Sequence, residues 1–138
     1  MGLDSLCRYE HQMHSQPIVL VIESESCLQL MMCATLMRMR VAPQRAASVD
    51  AGLAILGSAQ VNAVVLNAQL PDALDLLTFL RATAEYRHVP VLLYTSDMLP
   101  ETDAETARGH AAEVFFAPHE YSTLIDRVRE VLDFALAS

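Results

Sequence analysis

Apolar positions along the chain fall into two alternating patterns. Short runs such as 18–22 (Ile-Val-Leu-Val-Ile) are apolar at every position and end at polar residues. Such a run is typical of a strand buried on both faces of a parallel sheet. Between the runs, helix-forming segments carry apolar side chains at helical spacing. The pattern predicts strands at 18–22, 44–47, 61–66, 91–94 and 114–116, and helices at 27–40, 49–59, 74–84, 101–108 and from 122 or 123 to 136.

Five strands that alternate with helices indicate βαβ units in an open, doubly wound, five-stranded parallel α/β sheet, since a closed barrel needs about eight strands. Ser26 and Ser48 each precede a predicted helix and are expected to be N-caps, because a serine hydroxyl accepts a hydrogen bond from a free backbone N–H. The functional crevice of such a sheet lies at the carboxyl ends of the strands. The residues that follow the predicted strands there are Glu23, Ser24, Asn67, Thr95, Ser96, Ala117 and Pro118.

Composition limits the classes of function. The chain has 138 residues, of which 53% are hydrophobic and 19% charged, which predicts one globular domain with a substantial core. The formal net charge of −8 argues against nucleic-acid binding, because an acidic surface repels phosphate backbones. The nine cationic side chains are all Arg, which excludes a P-loop lysine, a Schiff-base lysine and a lysine general base.

Cysteine usage and hydropathy bear on location. Three cysteines without a C-x-x-C pair predict a reducing, cytoplasmic environment. Neither a signal peptide nor a run of about eighteen apolar residues occurs, so we expect no membrane span. Residues 1–16 are polar and aperiodic and predict a flexible N-terminal arm before one domain over 17–138. His11 and His14 in this arm have metal-like spacing, but no further ligands surround them and we expect no metal site.

Four short segments give the domain a family resemblance. They are Val-Ile-Glu-Ser-Glu at 21–25, Val-Val-Leu-Asn-Ala-Gln-Leu-Pro at 64–71, Pro-Val-Leu-Leu-Tyr-Thr-Ser at 90–96 and Phe-Phe-Ala-Pro at 115–118. In this order and strand context they resemble the response-regulator receiver domains of bacterial two-component signalling, over residues 16–137. The resemblance implies a flavodoxin-like receiver fold and a cis peptide bond before Pro118.

The same resemblance implies a phosphorylation site that has lost most of its chemistry. Receiver domains accept a phosphoryl group on an aspartate after the third strand, bind Mg²⁺ through an acidic pair after the first strand, and contact the phosphate through a Thr or Ser and a Lys. Asn67 stands at the acceptor position, and a carboxamide cannot form an acyl phosphate. Ser24 replaces one acidic residue and Ala117 replaces the lysine. The implied vestigial phosphorylation pocket, hereafter the strand-end pocket, comprises Glu23, Ser24, Asn67, Thr95 and Ala117.

We therefore expect a degenerate receiver domain, a pseudo-receiver, that is not an enzyme, takes no cofactor and binds Mg²⁺ weakly or not at all. Val114 stands where the family has a rotating aromatic side chain, so switching is also expected to differ. Its function would be protein–protein interaction in a bacterial signalling pathway. Two alternatives stay open, namely a small ligand or anion bound near Thr95 and Asn67, and an atypical phosphoacceptor such as Glu23. Simpler interpretations are that Thr95 caps its loop and that Glu23 is a solvent-facing remnant.

The first predicted helix carries more apolar surface than one sheet-facing stripe requires. The stripe expected to face the sheet comprises Leu28, Met31, Met32, Leu36 and Met39. Leu30, Cys33 and Met37 form a second apolar stripe on another side of the helix, which suits a binding surface because methionine adapts to irregular contacts. The other interpretation is that the helix is buried more deeply than usual. The first and last helices are neighbours in this topology, so we predict an interface with a protein partner or a homodimer through both helices. The predicted interface residues are Leu30, Cys33, Met37 and Phe134.

Overall fold

The computed structural model describes residues 16–137, with side chains up to residue 133. The predicted N-terminal arm therefore lies outside the described residues, apart from Gln16, and so does the side chain of Phe134. The strands are β1 (Ile18–Ile22), β2 (Ala42–Ala46), β3 (Ala63–Asn67), β4 (Val91–Thr95) and β5 (Glu113–Phe116). The helices are α1 (Ser26–Arg38), α2 (Val49–Ser58), α3 (Ala73–Ala82), α4 (Glu101–Gly109) and α5 (Tyr121–Ala137).

The five strands form one parallel sheet in the order β2-β1-β3-β4-β5. The order reverses beside β1, since the chain first adds β2 on one side and then β3, β4 and β5 on the other. The prediction of a doubly wound, flavodoxin-like sheet is confirmed. Because all strands run the same way, their carboxyl ends meet along one edge of the sheet.

The sheet separates two hydrophobic cores, because successive strand residues point to opposite faces. One core joins alternate strand residues to α2, α3 and α4, and the other joins the remaining strand residues to α1 and α5. Leu124, Val128 and Leu132 of α5 belong to the second core. The first and last helices are thus neighbours, as the topology predicts.

Most elements begin or end within one or two residues of the predicted positions, and two of the differences have a clear local reason. β2 begins at Ala42 and includes Pro43, which an edge strand tolerates because one side of its backbone needs no partner. The N-cap of α1 is Glu25 rather than Ser26, since a Glu25 carboxylate oxygen accepts the Leu28 N–H at 2.6 Å. The prediction for the second helix is confirmed, because the Ser48 hydroxyl accepts the Ala51 N–H at 3.1 Å.

The buried face of α1 is rotated relative to the predicted one. Met31, predicted to face the sheet, is 51% exposed, whereas Cys33, predicted for the outer stripe, is 5% exposed. The cause is a polar residue that the apolar pattern leaves out. The Gln29 side-chain amide donates to the carbonyl oxygens of Glu23 and Ala46, both at 3.0 Å, and so lies on the buried face. The predictions for Met31 and Cys33 are therefore wrong.

Helix α2 approaches β1 closely at Gly52. A Cβ atom built there would lie 2.6 Å from Ile22 Cδ1 and 3.2 Å from Ile22 Cγ1, inside normal contact distance. Ile22 is completely buried. Gly57, in the same helix, has nothing within 4 Å of the equivalent position. Only the first glycine is required by packing.

We expect Gly52→Ala to lower the free energy of unfolding by about 1–3 kcal/mol, because the added methyl group overpacks the core. The matched control Gly57→Ala should leave it unchanged or raise it by up to about 1 kcal/mol, because alanine restricts the unfolded chain more than glycine does. Urea denaturation of both variants measures the difference. Equal effects would show that α2 moves away from β1 at little cost.

Candidate functional site

The strand register places Glu23, Asn67 and Tyr94 in one row across the sheet. Ile22 pairs with Leu66, so the next residues, Glu23 and Asn67, are level, and Asn67 pairs with Tyr94. Paired residues in a sheet point to the same face, and Tyr94 lies in the core beneath α1 and α5. Nδ2 of Asn67 lies 3.2 Å from Oε1 and 3.3 Å from Oε2 of Glu23. Two residues of the strand-end pocket are thus in direct contact.

Glu23 is buried, with 2% of its surface exposed, so its interpretation as a solvent-facing remnant is wrong. Its carboxylate accepts hydrogen bonds from the Tyr94 hydroxyl, the Asn67 amide and the Glu25 N–H, the last at 3.0 Å. No ion pair within the described residues involves Glu23. Neutral donors alone therefore satisfy a buried carboxylate.

Tyr94 is the residue of this site that the sequence reasoning missed. The apolar pattern places Tyr94 only in a buried strand, although a buried tyrosine hydroxyl usually requires a polar partner. Burial raises the pKa of Tyr94, and its hydrogen bond to Glu23 raises that pKa further. The hydroxyl therefore stays protonated and remains a donor. The sequence does contain a signal, because Tyr94 is the one tyrosine in a predicted strand that is otherwise aliphatic. Its strand lies two positions from β1, which precedes the acidic residue Glu23.

A second tyrosine extends this polar cluster toward α5. The rings of Tyr94 and Tyr121 lie 6.5 Å apart between centroids, and the Tyr121 hydroxyl is buried without a hydrogen-bond partner among the described residues. Burial raises the pKa of Tyr121, and the negative charge of Glu23 adds to the effect. Burial also raises the pKa of the nearby Cys33 thiol. All three groups are therefore held in their neutral forms.

Thr95 points away from this row and caps its own loop. Its hydroxyl donates to the Asp97 carbonyl oxygen at 2.7 Å and accepts the Asp97 N–H at 3.3 Å. The prediction that Thr95 caps the loop is confirmed. The loops after β3 and β4 are joined by Gln69, whose Oε1 accepts from the Ser96 N–H at 3.1 Å and hydroxyl at 2.8 Å.

The remaining members of the strand-end pocket bring no charge to it. Ser24 is exposed, and Ala117 presents a methyl group and donates its N–H to the Thr95 carbonyl oxygen at 2.9 Å. The Ala117–Pro118 peptide bond is cis, as the resemblance implies. The structure therefore places Glu23 and Asn67 in contact and leaves Ser24, Thr95 and Ala117 outside their hydrogen-bond network.

A cleft of about 420 Å³ lies beside the pocket, between the loops that precede α3 and α4. Its acidic lining residues are Asp72, Asp75, Asp97 and Asp103. Within residues 16–133, no group of three or more His, Cys, Asp or Glu side chains has a metal-binding arrangement. His11 and His14 lie outside the described residues.

The predicted interface residues divide between surface and core. Leu30 and Met37 are 52% and 64% exposed on α1, whereas Cys33 faces the core. No helix in the described part of the chain has the length and apolar character needed to cross a bilayer.

Solved structures of response-regulator receiver domains share this fold. Chemotaxis response regulator CheY4 of Vibrio cholerae is 19% identical with a TM-score of 0.74, over 85% of this chain and 99% of that chain. The signal receiver domain of an HD domain-containing protein from Pseudomonas fluorescens Pf-5 is 20% identical with a TM-score of 0.79, over 89% of this chain and 99% of that chain.

A CheY-like response regulator receiver domain protein from Methanospirillum hungatei JF-1 is 17% identical with a TM-score of 0.76, over 86% of this chain and 95% of that chain. Neither a protein-family model nor a curated protein matches the sequence. The chain is thus an α/β protein of the flavodoxin-like class. Within that class, its fold is that of the CheY-like response-regulator receiver domains.

Tyr94 and Tyr121, whose hydroxyl groups are both buried, allow a matched test of the Glu23 network. We expect Tyr94→Phe to lower the free energy of unfolding by about 1–3 kcal/mol, because the buried carboxylate loses a donor. Tyr121→Phe removes a hydroxyl that has no partner in the described structure, and should be neutral or slightly stabilising. Chemical denaturation at neutral pH compares the two. A Tyr121→Phe variant as unstable as Tyr94→Phe would contradict this assignment.

Proposed function

We propose that this chain is a signalling module that uses the receiver fold for protein contact and works without phosphorylation, as a pseudo-receiver. The observation that carries the proposal is the contact between the Asn67 amide and the Glu23 carboxylate. It joins the position of the family's phosphoacceptor to the position of its metal-binding acid. The proposal includes the absence of enzymatic activity and of a cofactor.

Phosphoryl transfer requires a carboxylate nucleophile, a cation beside it and donors around the phosphate oxygens. Both ends of the Asn67 amide are instead used inside the protein. Its nitrogen donates to Glu23, and its Oδ1 accepts the Gln69 N–H at 2.9 Å. Thr95 uses its hydroxyl within its own loop. These contacts support a pocket that holds itself together without a phosphate.

The same contacts disfavour a bound Mg²⁺. That ion prefers octahedral coordination by several oxygens, mostly anionic or from water. Glu23 is the one carboxylate in the row, and its oxygens already accept from Tyr94, Asn67 and Glu25. The neutral amide hydrogens stand where a cation would otherwise balance the carboxylate.

Neither alternative function is favoured by an observation of its own. An anion near Thr95 and Asn67 would lie beside a cleft that is lined by four aspartates. Phosphorylation on Glu23 would require a buried carboxylate to give up its donors and to be reached by a phosphodonor. Protein contact in a bacterial signalling pathway, with a cytoplasmic location and no contact with nucleic acid, remains the function that we propose.

Incubation with acetyl phosphate and Mg²⁺ should add no phosphoryl group to this protein. The reason is that Asn67 offers no carboxylate and that neither Ser24 nor Ala117 supplies charge. Intact-mass spectrometry measures the result, with a phosphorylatable receiver domain treated in parallel as the positive control. A stoichiometric, acid-labile adduct at Glu23 or Asp97 would overturn the proposal.

Asn67→Asp alone should not restore efficient phosphorylation, because the second acid and the lysine are still missing. It should instead lower the free energy of unfolding by about 1–3 kcal/mol, since a second carboxylate would face Glu23 in place of a donor. Asn67→Ala is the matched control, which removes the donor without adding charge. Denaturation at neutral pH and near pH 4 separates the two effects, because the excess cost of the aspartate should shrink as carboxylates protonate. Efficient labelling of Asn67→Asp would show a nearly intact site.

A further inference from the structure

We infer that the exposed face of α1 is a self-complementary surface on which two copies of this chain pair antiparallel. The seam consists of Cys27, Leu30, Ala34 and Met37, all of which are exposed in the described chain. This pairing deepens the proposed function, on which it rests, by naming the partner of the module as a second copy. Cys33, in the predicted interface, takes no part because it is buried.

The spacing of the seam residues fits an antiparallel pair. Positions 27, 30, 34 and 37 are separated by three, four and three residues, the a and d spacing of a coiled coil. This series reads the same from both ends. An antiparallel copy therefore places Cys27 opposite the partner's Met37, and Leu30 opposite the partner's Ala34. The small alanine leaves room for the leucine across the seam.

The charges at the ends of the helix favour the same direction. No charged residue occurs between Glu25, the N-cap, and Arg38 in the last turn. An antiparallel pair places the end of α1 that carries Arg38 beside the partner's end that carries Glu25, whereas a parallel pair places like-charged ends side by side. The residue numbers of Glu25 and Arg38 add up to 63, and those of each seam pair add up to 64. The charged pair and the seam pairs are therefore symmetric about nearly the same point along the helix.

The size of the face sets the strength of the pairing. Helix α1 has 13 residues and is about 20 Å long, so it buries less than the roughly 800 Å² per partner of a standard interface. We therefore expect a weak, reversible dimer. Two-fold closure limits assembly to the dimer, since the same face is used by both copies.

Sedimentation velocity of the full chain, at concentrations from about 5 µM to about 500 µM, should show a monomer–dimer equilibrium whose dissociation constant lies within this range. Met37→Glu should weaken the dimer by about 100-fold or more, because each copy would bury an unpaired charge. The matched control is Met98→Glu, at a site that is 82% exposed and distant in sequence from α1, and it should leave the equilibrium unchanged. A full chain that stays monomeric would overturn the proposal and assign the face to another occupant, such as residues 1–15 or a different protein.

Oxidative cross-linking tests the register even if Met37→Glu fails to fold. In Met37→Cys, the introduced thiol should form a disulfide with the partner's Cys27. The two positions within one helix are about 15 Å apart, too far for a disulfide inside one chain. Mass mapping should find the 27–37 link, and Met98→Cys should give no link at position 98. A 37–37 link would indicate a parallel pair and overturn the proposal.

The outcomes separate this inference from the proposed function. A monomeric chain that resists phosphorylation removes the dimer and leaves the pseudo-receiver proposal in place. A chain that takes up phosphate stoichiometrically removes the pseudo-receiver proposal, whatever its oligomeric state.

Discussion

A carboxylate that is removed from water must be given donors, and the carboxyl edge of this sheet is arranged around that requirement at Glu23. An unpaired buried charge costs several kcal/mol, a large share of the stability of a domain of this size. The donors come from three places, namely the start of α1, the end of β3 and the end of β4. Gln29 adds a further constraint, because its amide holds the carbonyl oxygens that end β1 and β2. The Glu23 carboxylate thus links three strands and the start of α1, and the Gln29 amide adds the fourth strand, β2.

The amide of Asn67 changes the electrostatics of this edge. Where two or more carboxylates share a site, they repel each other and require a cation to stay ionised together. Here the single carboxylate of Glu23 accepts hydrogen bonds from neutral donors, so the row of Glu23, Asn67 and Tyr94 needs no added cation. The hydrogen bonds of Gln69 and Thr95 then fix the two neighbouring loops in a single arrangement. Each buried polar side chain described near Glu23 has a hydrogen-bond partner inside the chain, except for the Tyr121 hydroxyl.

Local patterns predicted the five strands and most element positions because burial on both faces leaves runs such as 18–22 with no polar residue, whereas the flavodoxin-like arrangement was implied by the family resemblance. The same patterns failed for α1, where Gln29 behaves as a buried residue for reasons of hydrogen bonding. They also failed for Glu23 and Tyr94, whose burial depends on each other across β3 and has no local signal. Thr95 and Asn67 were placed correctly because strand ends are defined by hydropathy. Hydrophobic periodicity does not predict that two buried polar side chains from different strands, such as Glu23 and Tyr94, will hydrogen-bond to each other.

The chain contains four tyrosines and no tryptophan, so its near-ultraviolet absorption and emission come from tyrosine. Tyr94 donates its hydroxyl to the Glu23 carboxylate, and the ring of Tyr121 lies 6.5 Å from that of Tyr94 between centroids. The phenol chromophore responds to the hydrogen bonding of its hydroxyl. Any event that alters the partners of Glu23 is therefore reported by the protein's own optical signal, without a label. The same contact that satisfies a buried charge gives the domain a spectroscopic probe at its strand-end pocket.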